Sequence, residues 1–234
     1  MTEGLEIRNC VFGYRDRRRE KRIVSASGLC FRPGDFFVLY GRNGAGKSTV
    51  LRTLAGLQLP LSGEIFWNGE DWTKLTPGRR ARIAAVVLTG FPGMGLFTAF
   101  ETAALGRAPY TGWRGRLTAA DCEAVDAALE TVGAVSLRNR VFDSLSDGEK
   151  QKIMTARALA QQTPLLLLDE PTAFLDYAAK KDFFRLLSKA ASEAGKAVIV
   201  STHDLLYAET EHPRWLLCGN GTVSGIPFCS DVTV

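Results

Sequence analysis

Nine residues, Gly41-Arg42-Asn43-Gly44-Ala45-Gly46-Lys47-Ser48-Thr49, carry the spacing G-x-x-x-x-G-K-[ST]. Small residues in such a run let the backbone curl until successive N–H groups point inward at phosphate oxygens. A helix opening at its end adds the positive end of a dipole. In this pattern Lys47 reaches the β- and γ-phosphates of a nucleoside triphosphate, and the Ser48 hydroxyl ligates Mg²⁺. A metal-bound triphosphate also needs carboxylates, and Leu165-Leu166-Leu167-Leu168-Asp169-Glu170 ends an apolar run with two of them. Asp169 is expected to partner Mg²⁺ through water. Glu170 is expected on the γ-phosphate side, where it polarises an attacking water. His203, one of only two histidines, follows another apolar run. It either touches the γ-phosphate or is an ordinary strand-end group. Tyr14 offers an aromatic face to a purine, or is a plain strand-end tyrosine. His212, beside Pro213, reads as a surface residue.

Positioning these groups requires strands that deliver them to one edge. Alternation and short apolar runs predict strands over 5–12, 23–31, 36–40, 62–69, 83–88, 165–168, 197–201, 214–218 and 222–225. Helical periodicity predicts a helix from Lys47 with Val50, Leu51, Leu54 and Leu57 on one face, and another over 177–194. Residues 91–95 read as a loop. From about 98 to 161 the pattern is mostly helical, with Val125, Ala128, Leu129 and Val132 as one stripe. Strands alternate with helices, so the expected class is α/β with a mainly parallel core sheet. The helical stretch is too long for one crossover. We therefore expect a single domain, 1–234, whose core is 1–90 and 162–234, with an inserted helical subdomain at about 91–161.

Composition narrows the rest. Hydrophobic residues at 46% and charged residues at 23% exclude disordered and collagen-like classes. Lys and Arg exceed Asp and Glu by 29 − 25 = 4, too mild an excess to argue for nucleic acid. The basic run 15–22 reads as a solvated hairpin tip, or as an anionic contact near a nucleotide or lipid headgroup. No apolar run reaches the roughly 18–20 residues of a membrane span. The first residues lack the basic start and apolar core of a secretory signal, so a cytosolic-side protein is expected. Five cysteines without C-x-x-C argue against a disulfide framework or zinc site.

The ordered motifs together resemble the ATP-binding-cassette (ABC) ATPases. Leu145-Ser146-Asp147-Gly148-Glu149 resembles the family signature LSGGQ, Phe174-Leu175-Asp176 the loop after the acidic strand, and Ser201-Thr202-His203-Asp204 the switch histidine. Tyr14 matches the aromatic that stacks on adenine. The resemblance implies a P-loop NTPase cassette with an N-terminal antiparallel β subdomain, hydrolysing ATP with Mg²⁺. It also implies a head-to-tail dimer with a second copy, in which the signature covers the ATP of the other subunit. Ser146 and Glu149 additionally have capping-box spacing. The chain departs from the family pattern in three places. Asp147 replaces glycine, Glu149 replaces glutamine, and no glutamine occurs between Gln58 and Gln151. Thr89 (or Leu88) takes the place of the family's coupling-loop glutamine, where its hydroxyl is expected to hold a water or Mg²⁺ weakly. The segment Ala104-Leu105-Gly106-Arg107-Ala108-Pro109-Tyr110 resembles ATPases of ferric-siderophore, haem and vitamin B12 importers. That implies permease subunits, a separate solute-binding protein, and a peripheral place on the cytoplasmic face of the cell membrane. The expected permease-docking edge is 91–96 with 107–113. An exporter-type ATPase is the alternative. A nucleic-acid-associated cassette is the lesser one, and no nucleic-acid partner is expected.

Overall fold

The computed structural model describes residues 3–16 and 19–226. The chain opens with β1 (Leu5–Asp16), β2 (Arg19–Ala26), β3 (Leu29–Phe31) and β4 (Phe36–Tyr40), then α1 (Lys47–Leu54). β5 (Ser62–Trp67), β6 (Glu70–Asp71), α2 (Pro77–Ala81) and β7 (Ala84–Val87) follow. Three helices, α3 (Ala99–Ala104), α4 (Ala119–Thr131) and α5 (Asp147–Ala160), precede β8 (Leu165–Asp169). After these come α6 (Tyr177–Ser192), β9 (Ala197–Ser201), α7 (Leu205–Glu209), β10 (Arg214–Gly219) and β11 (Thr222–Ile226).

The strands join one sheet in the order β6-β5-β1-β2-β11-β10-β4-β9-β8-β7, with β3 alongside β1. From β10 to β7 every pairing is parallel. The pairings of β1 with β2, β3 and β5 are antiparallel, so the expected antiparallel region is the far end of the same sheet. β4, β8 and β9 are apolar up to their last residues because both of their faces are covered. Val38, Leu166, Leu168, Val198 and Val200 pack with Phe184 and Leu187 of α6 and Ile153 of α5. Their alternates Phe37, Leu39, Leu165, Leu167 and Ile199 pack with Val50, Leu51 and Leu54 of α1. A period of two thus splits each apolar run between two cores.

Several expectations need correction. The strand at 23–31 is two strands: the Gly28 N–H donates to the Ile7 carbonyl at 3.0 Å, and the chain turns there to lay β3 on the start of β1. Leu57 does not belong to the buried face of α1. The helix ends at Leu54, and Leu57 is 58% exposed. β6, α2 and α7 are too short to show a period in sequence. The tip of the basic hairpin, Arg17 and Arg18, lies outside the described residues, as does Cys229. Of its flanks, Arg15 pairs with Glu20 at 2.7 Å, and both are solvated. The four described cysteines are unbridged.

The helices between β7 and β8 are started by local chemistry. Thr98, Thr118 and Ser146 each form a capping box with the acid three residues on. Asp121 does more than cap. Arg107, buried, donates from Nε to Asp121 at 2.8 Å and from NH1 to the Ala160 carbonyl and Gln162. This ties the segment after α3 to both α4 and the end of α5. Hydrogen bonds from the Thr118 amide and hydroxyl, then from Arg107, hold the Asp121 carboxyl down to about 2, against 3.8 for a free aspartate. A lowered folded pKa stabilises the fold above the unfolded value, and that contribution disappears as pH falls through the folded one. Asp121→Asn is therefore expected to lower the melting temperature at pH 7 and to flatten its fall between about pH 4 and 2. Thermal unfolding followed by circular dichroism across that range checks it; parallel pH curves for variant and parent would contradict it.

Candidate active site

β4 delivers the chain at Gly41, against β10. A Cβ on Gly41 would fall 2.1 Å from the Cys218 carbonyl oxygen, so no other residue fits without moving the strand. The loop curls to Gly46, whose φ of +109° precedes α1, and no side chain caps that helix. Its first N–H groups are left for an anion. Lys47 is buried and lies across its own loop, its Nζ donating to the Gly41 carbonyl at 2.8 Å. Arg42, Asn43 and Gly44 are exposed. The Ala45 carbonyl accepts from Cys218 Sγ at 3.2 Å. β1 brings Tyr14 beside the loop, where its hydroxyl bonds that of Thr49 at 3.0 Å and its ring stays partly exposed.

β8 and β9 supply the other half. Asp169 is 2% exposed and accepts from Ser201 Oγ at 2.7 Å through Oδ1. Glu170 leaves the strand with φ +49°, a left-handed conformation that costs a non-glycine residue roughly 1–2 kcal/mol. Its carboxylate sits between Lys47 Nζ at 3.5 Å and His203 Nδ1 at 2.8 Å. His203 remains largely exposed on its other side. Lys47, Glu170 and His203 come from three segments and form one row at the C-terminal edge of parallel strands, where ligands collect in α/β sheets.

The histidine loop is anchored from behind. Asp204 accepts from Lys180 at 2.8 Å and Thr172 at 2.6 Å, and its own amide donates to Thr202 at 3.0 Å. Burial pushes the Asp204 carboxyl up, but the bonds from Lys180 and Thr172 outweigh it and hold it below the usual range.

The residues also fit Mg²⁺. The half-buried Ser48 hydroxyl makes no hydrogen bond within the described residues, and Asp169 keeps Oδ2 as an acceptor. One hydroxyl and one carboxylate suit a cation that retains waters and shares phosphate oxygens. Among the described residues no group of three His, Cys, Asp or Glu could hold a metal alone.

The segment 145–149 is not part of this row. Leu145 is buried, Ser146 caps α5, and Glu149 closes the box and pairs with Arg140 at 3.2 Å. Asp147 is exposed and lies 3.8 Å from Lys150. A Cβ on Gly148 would come 3.3 Å from the Phe174 carbonyl oxygen, so the signature rests on the loop after β8. Among the described residues no hydrogen bond or ion pair links 145–149 to 41–49 or to 169–170. Asp176 caps α6, accepting from the Ala179 amide at 2.9 Å.

Thr89 lies at the edge of the row, but its hydroxyl donates to the Asp169 carbonyl at 2.9 Å. It therefore holds protein backbone, with its lone pairs left as acceptors. The expected docking edge also changes. Phe91 is half-buried, its ring 5.2 Å from Phe174 and 6.4 Å from Phe142. Arg107 is inside the helical layer. Of the large hydrophobics in that edge, Leu96 at 87% and Trp113 at 90% are the most exposed, with Tyr110 at 37%. Ser201 stands in the Ser201–Asp204 motif, where its residue type and spacing signal no role. Its place opposite Asp169 follows from the pairing of β8 and β9.

Residues 24–173 match the family model described as ABC transporter. The chain is 42% identical, over 78% of its length, to an uncharacterized ABC transporter ATP-binding protein of Methanocaldococcus jannaschii, of which it spans 63%. It is 38% identical to the hemin import ATP-binding protein of Nocardia farcinica, over 87% of this chain and 70% of that one. A zinc transport system ATP-binding protein of Streptococcus pneumoniae is 36% identical, over 78% and 77% respectively. The fold is similar to a dimeric ATP-binding cassette in a post-hydrolysis state with ADP and Pi, with a TM-score of 0.82 at 27% identity, covering 94% of this chain and 96% of that one. No helix among the described residues is long and apolar enough to cross a membrane.

Proposed function

The chain belongs to the ABC transporter family, and on that premise we propose that it is the ATP-hydrolysing subunit of an importer of iron complexes: ferric siderophore, haem or a cobalamin-type substrate. The observation that carries the hydrolytic part is the Glu170 carboxylate held between Lys47 and His203 beside a phosphate-binding loop. Tyr14 stacks on adenine. The amides of 41–49 and Lys47 take the phosphates, with Lys47 exchanging the Gly41 carbonyl for the β- and γ-oxygens. Ser48 and, through water, Asp169 would hold Mg²⁺, which when bound would offset phosphate charge. Glu170 accepts the proton of the attacking water, and His203 orients that carboxylate and touches the γ-phosphate. The bond from the γ-phosphorus to the bridging oxygen breaks, giving ADP and phosphate.

The signature completes the site of a second copy. The Glu149 amide is used by its cap, but those of Asp147 and Gly148, at the start of α5, have no intrahelical acceptor. The iron-complex reading rests on the 104–110 segment and on relatives such as the hemin import protein. Permease subunits receive Leu96 and Trp113, and a solute-binding protein selects the cargo outside the membrane, with this chain at the cytoplasmic face. Co-expression with the permease and uptake of labelled ferric complexes or haem test this reading. We expect the Leu96→Glu, Trp113→Glu double variant to lose complex assembly and uptake while basal hydrolysis stays within about twofold, since neither side chain is buried. Uptake of zinc in place of iron complexes would overturn the substrate, and normal uptake by the double variant would move the docking edge elsewhere.

A further inference from the structure

The peptide joining Asp169 to Glu170 is held at both ends. Its carbonyl accepts from Thr89 Oγ1 at 2.9 Å, from the chain leaving β7. Its N–H is shared between the Ser201 carbonyl at 3.1 Å and Ser201 Oγ at 3.0 Å, from the end of β9. Ser201 Oγ donates onward to Asp169 Oδ1 at 2.7 Å. The loop that leaves β7 on one side of β8 and the end of β9 on the other thus grip one peptide plane. The plane matters because Glu170 has φ +49°, a region that residues other than glycine rarely occupy. Turning the plane changes that φ and swings the Glu170 Cβ, moving its carboxylate from the row with Lys47 and His203.

We propose that Thr89 and Ser201 are positioning residues for hydrolysis, whose hydroxyls hold the Asp169–Glu170 peptide in the orientation that aims the Glu170 carboxylate. This rests on the reading of Glu170 as the group that takes the proton from water. It gives Thr89 a task distinct from holding water or metal: it acts on the base through the backbone. It also links the loop that follows β7, whose Phe91 stacks on Phe174, to the orientation of the base. A displacement of that loop would then reach the reacting group without a glutamine.

The test is single-turnover and steady-state ATP hydrolysis by the full chain. Thr89→Val keeps the shape and removes the donor. It should lower kcat about tenfold, because small misplacements of a catalytic group are costly, while KM and calorimetric ATP affinity stay near those of the parent. Thr89→Ser, which keeps the hydroxyl, should recover most of the rate, and Ser201→Ala should fall in the same direction as Thr89→Val. In a Glu170→Gln background Thr89→Val should cost nothing further. A parental kcat in Thr89→Val overturns the proposal. So does a Thr89→Ser variant as slow as the valine one, a further loss in the Glu170→Gln background, or a loss explained by a lowered melting temperature with KM rising alongside. Undiminished turnover by Glu170→Gln alone would instead remove the base itself, a different result from any of these.

Discussion

Glu170→Gln is expected to bind ATP at least as tightly as the parent, to lose turnover by about 10²–10⁴, and to accumulate as an ATP-bound dimer. The loss follows from replacing a carboxylate that can take a proton by an amide that cannot. The retained affinity follows from the same geometry. In the parent the Glu170 carboxylate lies 3.5 Å from Lys47 Nζ, competing with phosphate for that cation. Removing its charge leaves Lys47 to the nucleotide and removes a repulsion between two anions. Calorimetry gives the affinity, phosphate release the rate, and size-exclusion chromatography with ATP the dimer. Undiminished steady-state hydrolysis would take Glu170 out of this role.

Ser146→Arg should abolish hydrolysis while leaving ATP binding within a few-fold of the parent. Ser146 is exposed at the start of α5, and no hydrogen bond or ion pair joins it to the phosphate loop of its own chain. A large cation there lies beside Glu149 of its own cap and away from the phosphate loop, and on the proposed dimer it stands where the second copy approaches. The substitution also removes the N-cap, worth about 1 kcal/mol, so a modest fall in melting temperature accompanies it without explaining a complete loss of turnover. ATP binding is read by calorimetry on the isolated chain, and hydrolysis over a range of protein concentrations. Normal hydrolysis by this variant would mean that one subunit contains the whole site.

Much of the candidate site is legible in the sequence because its chemistry is local. The run 41–49 needs glycine where the backbone must pass close to a neighbouring strand and turn left-handed, and Gly41 and Gly46 stand at those points. The acid pair follows an unbroken apolar run, and that run marks a strand buried on both faces. Capping boxes at Thr98, Thr118 and Ser146 announce helix starts through side chains only three residues apart. Each of these signals is carried within a few residues of chain, and so by composition and spacing alone.

Tertiary structure decided what depends on pairing between distant segments. That Phe91 is half-buried against Phe174, and that Arg107 belongs to an internal ion pair, could not be read from residue type. An aromatic and an arginine suit a surface and an interior equally until their partners are placed. The division of 23–31 into two strands was set by β1, which offers its start to one and its far end to the other. Thr89 and Ser201 are 112 residues apart in sequence (201 − 89), and neither type signals a grip on a peptide. Their hydroxyls meet the same peptide plane because parallel pairing sets β7 and β9 on either side of β8. Strand register is a property of the whole sheet, chosen by burial on both of its faces, and no local stretch of sequence contains it.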